Sequence, residues 1–253
     1  MRDEVTPAQL AEDTTMEPDV TYASEVETDE DDEQQEAGAR RALAALCRAA
    51  HALGVVGSDP EDQVSLRCGG ALFLIKPVGV RFHEAAADNL VALSAKELAQ
   101  AFPLHHALFV ARPDVRCVLS AANRDCELVA VTQGEGLLPL CQDALRVYHK
   151  TRKAAEDNLG SRAARASHSA VQCWLVKNRG LLASGDSPAA CLAAGLFAAR
   201  AAAFQVRAVT AVAGDVAKLD VPCESDAIRA RQALELRAPA KQVAERLLAA
   251  HLS

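Results

Sequence analysis

Aromatic residues are scarce in this chain of 253 residues, which contains one Trp, two Tyr and six Phe. Ala, Leu and Val therefore carry most of the apolar half of the sequence. This composition favours helices and small, closely packed strands. The length is sufficient for one sizeable core and indicates one or two domains.

Net positive charge is also missing, because the formal net charge is −7. A dedicated nucleic-acid binder carries net basic charge, so no nucleic-acid partner is expected. The negative charge is concentrated in residues 1–38, which hold 14 acidic side chains and one base, while the remainder holds 20 acids and 26 bases. Since residues 1–38 also lack apolar periodicity, they are predicted to form a disordered acidic arm on a basic body.

Closely spaced cysteines and long apolar runs are absent as well. The eight cysteines occur singly, without a C-x-x-C pair, and most lie in apolar stretches such as 115–119 and 171–176. This pattern indicates reduced, buried thiols in a cytoplasmic protein and argues against a zinc site. No run of about 18 uncharged apolar residues is present, so no transmembrane segment is predicted, and the acidic N-terminus does not fit a secretory signal.

Hydrophobic spacing divides the remainder of the chain into helices and short strands. A helical repeat from residue 39 ends at Gly54, and Gly69–Gly70 predicts a hairpin turn. Apolar or alternating runs predict strands at 63–67, 71–75, 90–93, 115–119, 171–177 and 181–184. Periodic stretches predict helices at 97–110 (interrupted near Pro103), 125–131, 188–209, 225–237 and 239–252. The order predicts one α/β domain over residues 39–210 and a helical tail over 211–253.

Three separated blocks resemble the class II aldolase and adducin domain family. They read FLIKPVGVRFHE at 73–84, LHHALFVARPDVRCV at 104–118 and KNRGLLASG at 177–185. The resemblance covers about residues 39–210, and the segment GLLPLCQDAL at 136–145 looks closer to the adducin branch than to the sugar-phosphate aldolases. It implies an α/β/α sandwich around a central, mainly antiparallel sheet, assembled as a homotetramer.

The family resemblance also identifies where metal ligands would lie. Enzymes of the family hold a divalent metal, usually zinc, with three histidines, and the metal polarises a substrate oxygen. Counting from Arg112 of the ARPD block, the first two ligand positions are Ser120 and Ala122. The third position is Arg179, a permanent cation that would repel a metal. The resemblance therefore implies no metal site and no metal cofactor here.

The acid–base group of the family enzymes is missing too. Their glutamate lies four residues before the histidine that corresponds to His105, and this position is Ala101. The asparagine of a family turn falls on Gln63. A degenerate family pocket is therefore expected, without catalytic or cofactor-binding residues, at the following positions: Gln63, Ala101, His105, Ser120, Ala122 and Arg179.

Arg179 and one further segment leave alternatives open. The guanidinium of Arg179 either binds an anion or an acidic residue of a neighbouring subunit in place of the metal, or belongs to a surface turn. Asp143, Tyr148, His149 and Lys150 lie in the segment that lines the cleft in family enzymes. Without a metal they are interpreted as surface residues.

Two classes of function remain open from the sequence. The first is a non-catalytic adducin-like module, a pseudoenzyme for oligomerisation or protein binding, whose resemblance implies a cytoskeletal partner and location. The second is a metal-dependent aldolase, epimerase or dehydratase that acts on a small sugar phosphate through a relocated site.

Overall fold

The computed structural model describes residues 24–59, 61–69, 72–132, 134, 136–165 and 171–252. The strands are β1 (Gln63–Cys68), β2 (Leu72–Ile75), β3 (Val91–Ser94), β4 (Cys117–Ala121), β5 (Thr151–Ala154), β6 (Cys173–Val176) and β7 (Gly180–Gly185). The helices are α1 (Ser24–Ala52), α2 (Ala95–Ala101), α3 (Pro103–Ala111), α4 (Arg124–Val131), α5 (Gln142–Arg146), α6 (Leu159–Arg165), α7 (Pro188–Ala211), α8 (Glu224–Arg237) and α9 (Ala240–Ala249). Short 3₁₀ helices lie at Phe82–Glu84, Ala87–Asn89, Glu156–Asn158 and Val216–Lys218.

The seven strands form one sheet in the order β3-β2-β1-β4-β7-β6-β5. Every neighbouring pair is antiparallel except β5 and β6. β4 is central, with Leu119 opposite Val64 of β1 and opposite Ala183 of β7. The predicted fold class, an α/β sandwich with a mainly antiparallel sheet, is confirmed. The strands predicted at 115–119 and 171–177 lie on either side of β7.

Alternation along the strands divides the apolar core between the two faces of the sheet. Leu119 and Leu181 belong to a cluster that also contains buried residues of α1, α4 and α7. Val118, Trp174 and Leu182 belong to a second cluster with buried residues of α3 and α6. Helices therefore cover both faces, as the α/β/α arrangement requires.

Helix α7 is the main helix of the first face. The side chain of Ser187 accepts a hydrogen bond from the backbone N–H of Ala190, and Pro188 occupies the first turn, as the sequence predicted. Among the described residues it is the one helix long and apolar enough to cross a membrane by length and composition alone. However, 78% of its apolar window is buried inside the fold, as expected of a core helix.

Two boundaries differ from those expected from the sequence. Helix α1 begins at Ser24, within the segment predicted to be disordered, and the compact unit that contains the sheet extends from Glu36 to Ser253. Glu, Gln and Ala have high helix propensity, so a helix nucleated by buried residues further on extends into the acidic segment at little cost. The first 23 residues of the arm lie outside the described residues, and their disorder stays a prediction.

The predicted C-terminal tail is part of the same compact unit. Ala227 of α8 is fully buried, and so is Ala244 of α9. Helix α9 packs along α7 and α8 packs against α5. Their amphipathic sequences indicated helices but not the surface on which the apolar side would be buried.

Strand β5 was missed because its sequence, Thr-Arg-Lys-Ala, has no apolar alternation. It becomes a strand by pairing in parallel with the fully apolar β6. The β1–β2 hairpin is confirmed by the antiparallel pairing of Cys68 with Leu72. Gly69 adopts φ +56 in the connecting segment, and Gly70 lies outside the described residues.

Gly185 generates the first testable prediction because β7 ends there against the first turn of α7. A Cβ at Gly185 would lie 2.5 Å from the backbone N of Cys191 and 2.8 Å from the carbonyl C of Ala190. Gly185→Ala is expected to lower the free energy of unfolding by about 1–3 kcal/mol, since backbone cannot yield as a flexible side chain does.

Urea denaturation measures the effect, with Gly38→Ala in α1 as the matched control. No atom lies within 4 Å of a Cβ built at Gly38, so this variant should be unchanged or more stable by up to about 1 kcal/mol. Equal stability of the two variants would contradict the close approach of β7 and α7.

Candidate functional site

The candidate pocket lies at the end of β4, where the turn between β6 and β7 folds against the strand. Asn178 and Gly180 of this turn both adopt left-handed backbone conformations, with φ +62 and +94. A Cβ at Gly180 would lie only 2.5 Å from the carbonyl oxygen of Ala121. Glycine is therefore required there, and the close approach brings Arg179 to Ser120.

A cavity of about 250 Å³ occupies this position. The described residues that line it are Asp59, Glu61, Asp62, Ser120, Ala121, Ala122, Glu127, Asn178 and Arg179. Three of the six positions predicted from the sequence therefore share one cavity. Its charged groups are four carboxylates and one guanidinium.

Arg179 forms two ion pairs within the chain. Its Nη1 lies 2.9 Å from Oε2 of Glu61, and its Nε lies 3.0 Å from Oε1 of Glu156. The side chain is 43% exposed, so each pair contributes modestly to stability, on the order of 1 kcal/mol or less. The pairs tie the β6–β7 turn to the segment before β1 and to the 3₁₀ helix after β5. Acidic partners were one of the two expected interpretations of Arg179, although here they belong to the same chain.

His105 is buried between two serine hydroxyls. Its Nδ1 lies 2.7 Å from Oγ of Ser65, and its Nε2 lies 3.1 Å from Oγ of Ser120. The Ser120 hydroxyl also donates to the carbonyl of Gln63, at 3.4 Å. We therefore assign the proton to Nε2, which donates to Ser120, while Ser65 donates to Nδ1.

This arrangement makes His105 a structural group. Burial, together with the nearby charge of Arg179, lowers the pKa of His105 to about 3. The ring is thus neutral near pH 7, and both nitrogens are engaged. In the assigned tautomer Nε2 carries a proton and cannot accept one from Ser120, so the pair does not act as a nucleophile and its base.

Asp62 is a residue of the pocket that the sequence did not single out. It is 1% exposed, and its two carboxylate oxygens accept from the backbone N–H of Ala122 at 2.7 Å and of Gly57 at 3.0 Å. Burial raises its pKa despite these hydrogen bonds. Asp62 therefore fixes the loop after β4. Nothing in the sequence distinguishes it from its acidic neighbours Asp59 and Glu61.

The two remaining predicted positions, Gln63 and Ala101, are not among the described residues that line the cavity. Gln63 is buried opposite Ser120, and its Oε1 accepts from the backbone N–H of Val64 at 2.9 Å. Ala101 is exposed at the end of α2 and is not among the described residues that line the cavity. Gln63 and His105 thus hydrogen-bond to Ser120, although neither is among the described residues that line the cavity.

The residues present do not fit the metal that the family fold implies. A zinc site of that kind requires three imidazoles, and the three positions offer a hydroxyl, a methyl group and a guanidinium. Both oxygens of Asp62 and both nitrogens of His105 already have hydrogen-bond partners. Over the part of the chain that the structure describes, no group of three or more His, Cys, Asp or Glu is arranged to hold a metal ion.

Sequence comparison identifies the family. Residues 41–206 match the model of the Class II Aldolase and Adducin N-terminal domain. The chain belongs to this family. A protein of Pseudomonas aeruginosa named for class 2 aldolases is 32% identical over 130 residues, and Adducin-related protein 1 of Caenorhabditis elegans is 30% identical over 131 residues. Each alignment covers 46% of this chain, but only 50% and 18% of these two relatives.

Solved structures of the class II aldolase family share the fold. An aldolase II superfamily protein from Pseudomonas syringae superposes with a TM-score of 0.72 at 24% identity, covering 86% of this chain and 93% of that one. L-fuculose 1-phosphate aldolase from Glaciozyma antarctica superposes with a TM-score of 0.71 at 18% identity, covering 87% and 90%. At these identities the superpositions establish the fold alone.

The buried His105 predicts a specific dependence of stability on pH. Its folded-state pKa of about 3 lies below the unfolded value near 6.5. Between these values the unfolded chain binds more protons, so stability falls as the pH drops from about 6.5 towards 3. The loss attributable to His105 approaches 1.4 kcal/mol per pH unit. His105→Gln should remove this contribution, so that the free energy of unfolding depends less steeply on pH.

Urea denaturation at pH 7, 6 and 5 measures the slope for the wild type and the variant. His106→Gln, one residue further along α3 and only half-buried, is the control and should retain the wild-type slope. An unchanged slope in His105→Gln would show that the ring is not held neutral by burial.

Proposed function

We propose that this chain is a non-catalytic module of the class II aldolase and adducin family. The supporting observation is the double ion pair of Arg179 with Glu61 and Glu156. The resemblance assigns the position of a metal-binding histidine to Arg179, and the guanidinium there is bound to the protein's own carboxylates. A catalytic metal site needs an open coordination position, whereas Arg179, Asp62 and Ser120 of this pocket each have a partner within the protein.

The hydrogen bonds of His105 support the same proposal. A general base must be free to accept a proton at the reacting atom, whereas His105 is enclosed by Ser65 and Ser120. The position that the resemblance assigns to the acid–base glutamate is Ala101, which has no ionisable group. The pocket therefore retains the family's framework, and its polar groups maintain the fold.

Self-association and binding of a cytoskeletal protein complete the proposed function. The family resemblance supports a homo-oligomer, with a tetramer as the expected form, and the match to Adducin-related protein 1 supports the adducin side of the family. The alternative is a metal-dependent aldolase, epimerase or dehydratase that acts on a small sugar phosphate through a relocated site. The match to the P. aeruginosa class 2 aldolase relative favours testing it.

Metal content and sugar-phosphate cleavage separate these two functions. The purified full chain, incubated with zinc and then dialysed, is expected to retain far less than one equivalent of metal and to cleave no sugar phosphate. The matched positive control is the triple variant Ser120→His, Ala122→His, Arg179→His, which should regain zinc binding because it restores three imidazoles. Arg179→His alone should not. Stoichiometric metal with chelator-sensitive cleavage in the wild type would overturn the proposal.

Sedimentation velocity tests self-association independently of the pocket. Because the family packs as a tetramer, the sedimentation coefficient is expected to rise with protein concentration towards that of a tetramer. A strict monomer at tens of micromolar would reject the oligomer while leaving the non-catalytic assignment untouched.

A further inference from the structure

A second cavity, of about 220 Å³, lies beside the start of β5 and is here named the β5 cavity. It shares no lining residue with the pocket at the end of β4. Its lining combines cationic, aromatic and apolar groups. Leu138, Pro139, Tyr148, His149, Arg152 and Val221 are among the residues that line it.

Arg152 is a half-buried cation at this cavity with few contacts of its own. Its Nη1 donates to the carbonyl of Thr151 at 3.0 Å. Over the described residues, no carboxylate forms an ion pair with it. A guanidinium has five N–H donors in a planar fork, which matches the two oxygens of a carboxylate. The unused donors therefore favour an anionic ligand.

His149 gives the cavity a rigid wall. Its backbone has φ +62, a left-handed conformation that few residues other than glycine adopt. Two contacts hold the turn: Arg231 donates to the carbonyl of Tyr148 at 2.9 Å, and the Tyr148 ring lies 4.1 Å from that of His149. Oε1 of Glu224 lies 3.2 Å from Nε2 of His149, which makes no hydrogen bond of good geometry. Such a conformation persists only where its surroundings fix it, and it is concentrated at functional sites.

The other walls determine which anion fits. Leu138, Pro139 and Val221 supply apolar surface and no side-chain donors. The carboxylate of Glu224, 3.2 Å from Nε2 of His149, repels a dianionic phosphate more strongly than it repels a singly charged carboxylate. A carboxylate can direct both oxygens to Arg152 and bury a short tail against the apolar walls. The volume lies below the usual range for ligand pockets, about 300–1,000 Å³, so the ligand is small.

We propose that the β5 cavity binds a small organic carboxylate with a short apolar tail. Arg152 is the charged anchor, and the ring of His149 is the fixed wall that orients the ligand. The site does not depend on the proposed non-catalytic function, since it shares no lining residue with the pocket at the end of β4.

NMR titration of the full chain tests the site, with butyrate, butyramide, acetate and inorganic phosphate as probes. Butyrate is expected to bind saturably and to shift the amide signals of residues 148–152 and 221. Butyramide, which lacks the charge, and acetate, which lacks the tail, should bind more weakly. Saturable binding of phosphate at equal or higher affinity, or no saturable binding of butyrate, would overturn the proposal.

Arg152→Gln is the decisive variant, because it removes the charge and keeps a polar, though shorter, side chain. The affinity for butyrate should fall about tenfold or more, since a charge-assisted bidentate interaction is lost. Arg162→Gln, which changes an exposed arginine on α6, is the matched control and should bind as the wild type does. Unchanged affinity in Arg152→Gln would refute the role of this residue.

A second variant keeps the test valid if Arg152→Gln folds poorly. Val221→Asp leaves Arg152 in place and adds a negative charge to the apolar wall, so butyrate should bind at least about tenfold more weakly. Wild-type affinity in Val221→Asp would place the carboxylate elsewhere and overturn the proposal.

Discussion

The close backbone approach at both ends of β7 is the constraint on which the site depends. At one end Gly180 lies against the carbonyl of Ala121, and at the other Gly185 lies against the first turn of α7. Neither position has room for a side chain. The strand is thereby fixed between β4, β6 and the main helix of the first face. The contact of Gly180 with Ala121 also positions Arg179 at the end of β4.

The family pocket and the β5 cavity differ in how far their polar groups have hydrogen-bond or ion-pair partners within the protein. In the family pocket, His105, Ser120, Asp62 and Arg179 all have partners within the protein. At the β5 cavity, Arg152 makes one contact to a backbone carbonyl, and the buried Nε2 of His149 makes no hydrogen bond of good geometry. Since unpaired buried polar groups are costly, the paired groups of the family pocket are typical of a structural role, and the donors of Arg152 without a partner are typical of ligand binding.

Several elements of the fold could be predicted because the residues that indicate them are adjacent in the sequence. Apolar runs identified β4 and β6, and Ser187 with Pro188 identified the start of α7. β5 could not be found, because its polar sequence becomes a strand only through pairing with β6. The acidic charge of residues 1–38 predicted disorder, but the helix propensity of Glu, Gln and Ala lets α1 begin at Ser24.

The sequence alone determined what the site lacks: no histidine at 120, 122 or 179 and no glutamate at 101. Side-chain chemistry is fixed by residue identity, so this needed only the sequence and its resemblance to the family. Only the tertiary structure decided what the remaining groups do. The partners of Arg179 are 118 and 23 positions away in the chain, at Glu61 and Glu156, and those of His105 lie on two strands. Hydrogen bonds and ion pairs act over a few ångströms, and folding alone brings such distant residues within that range.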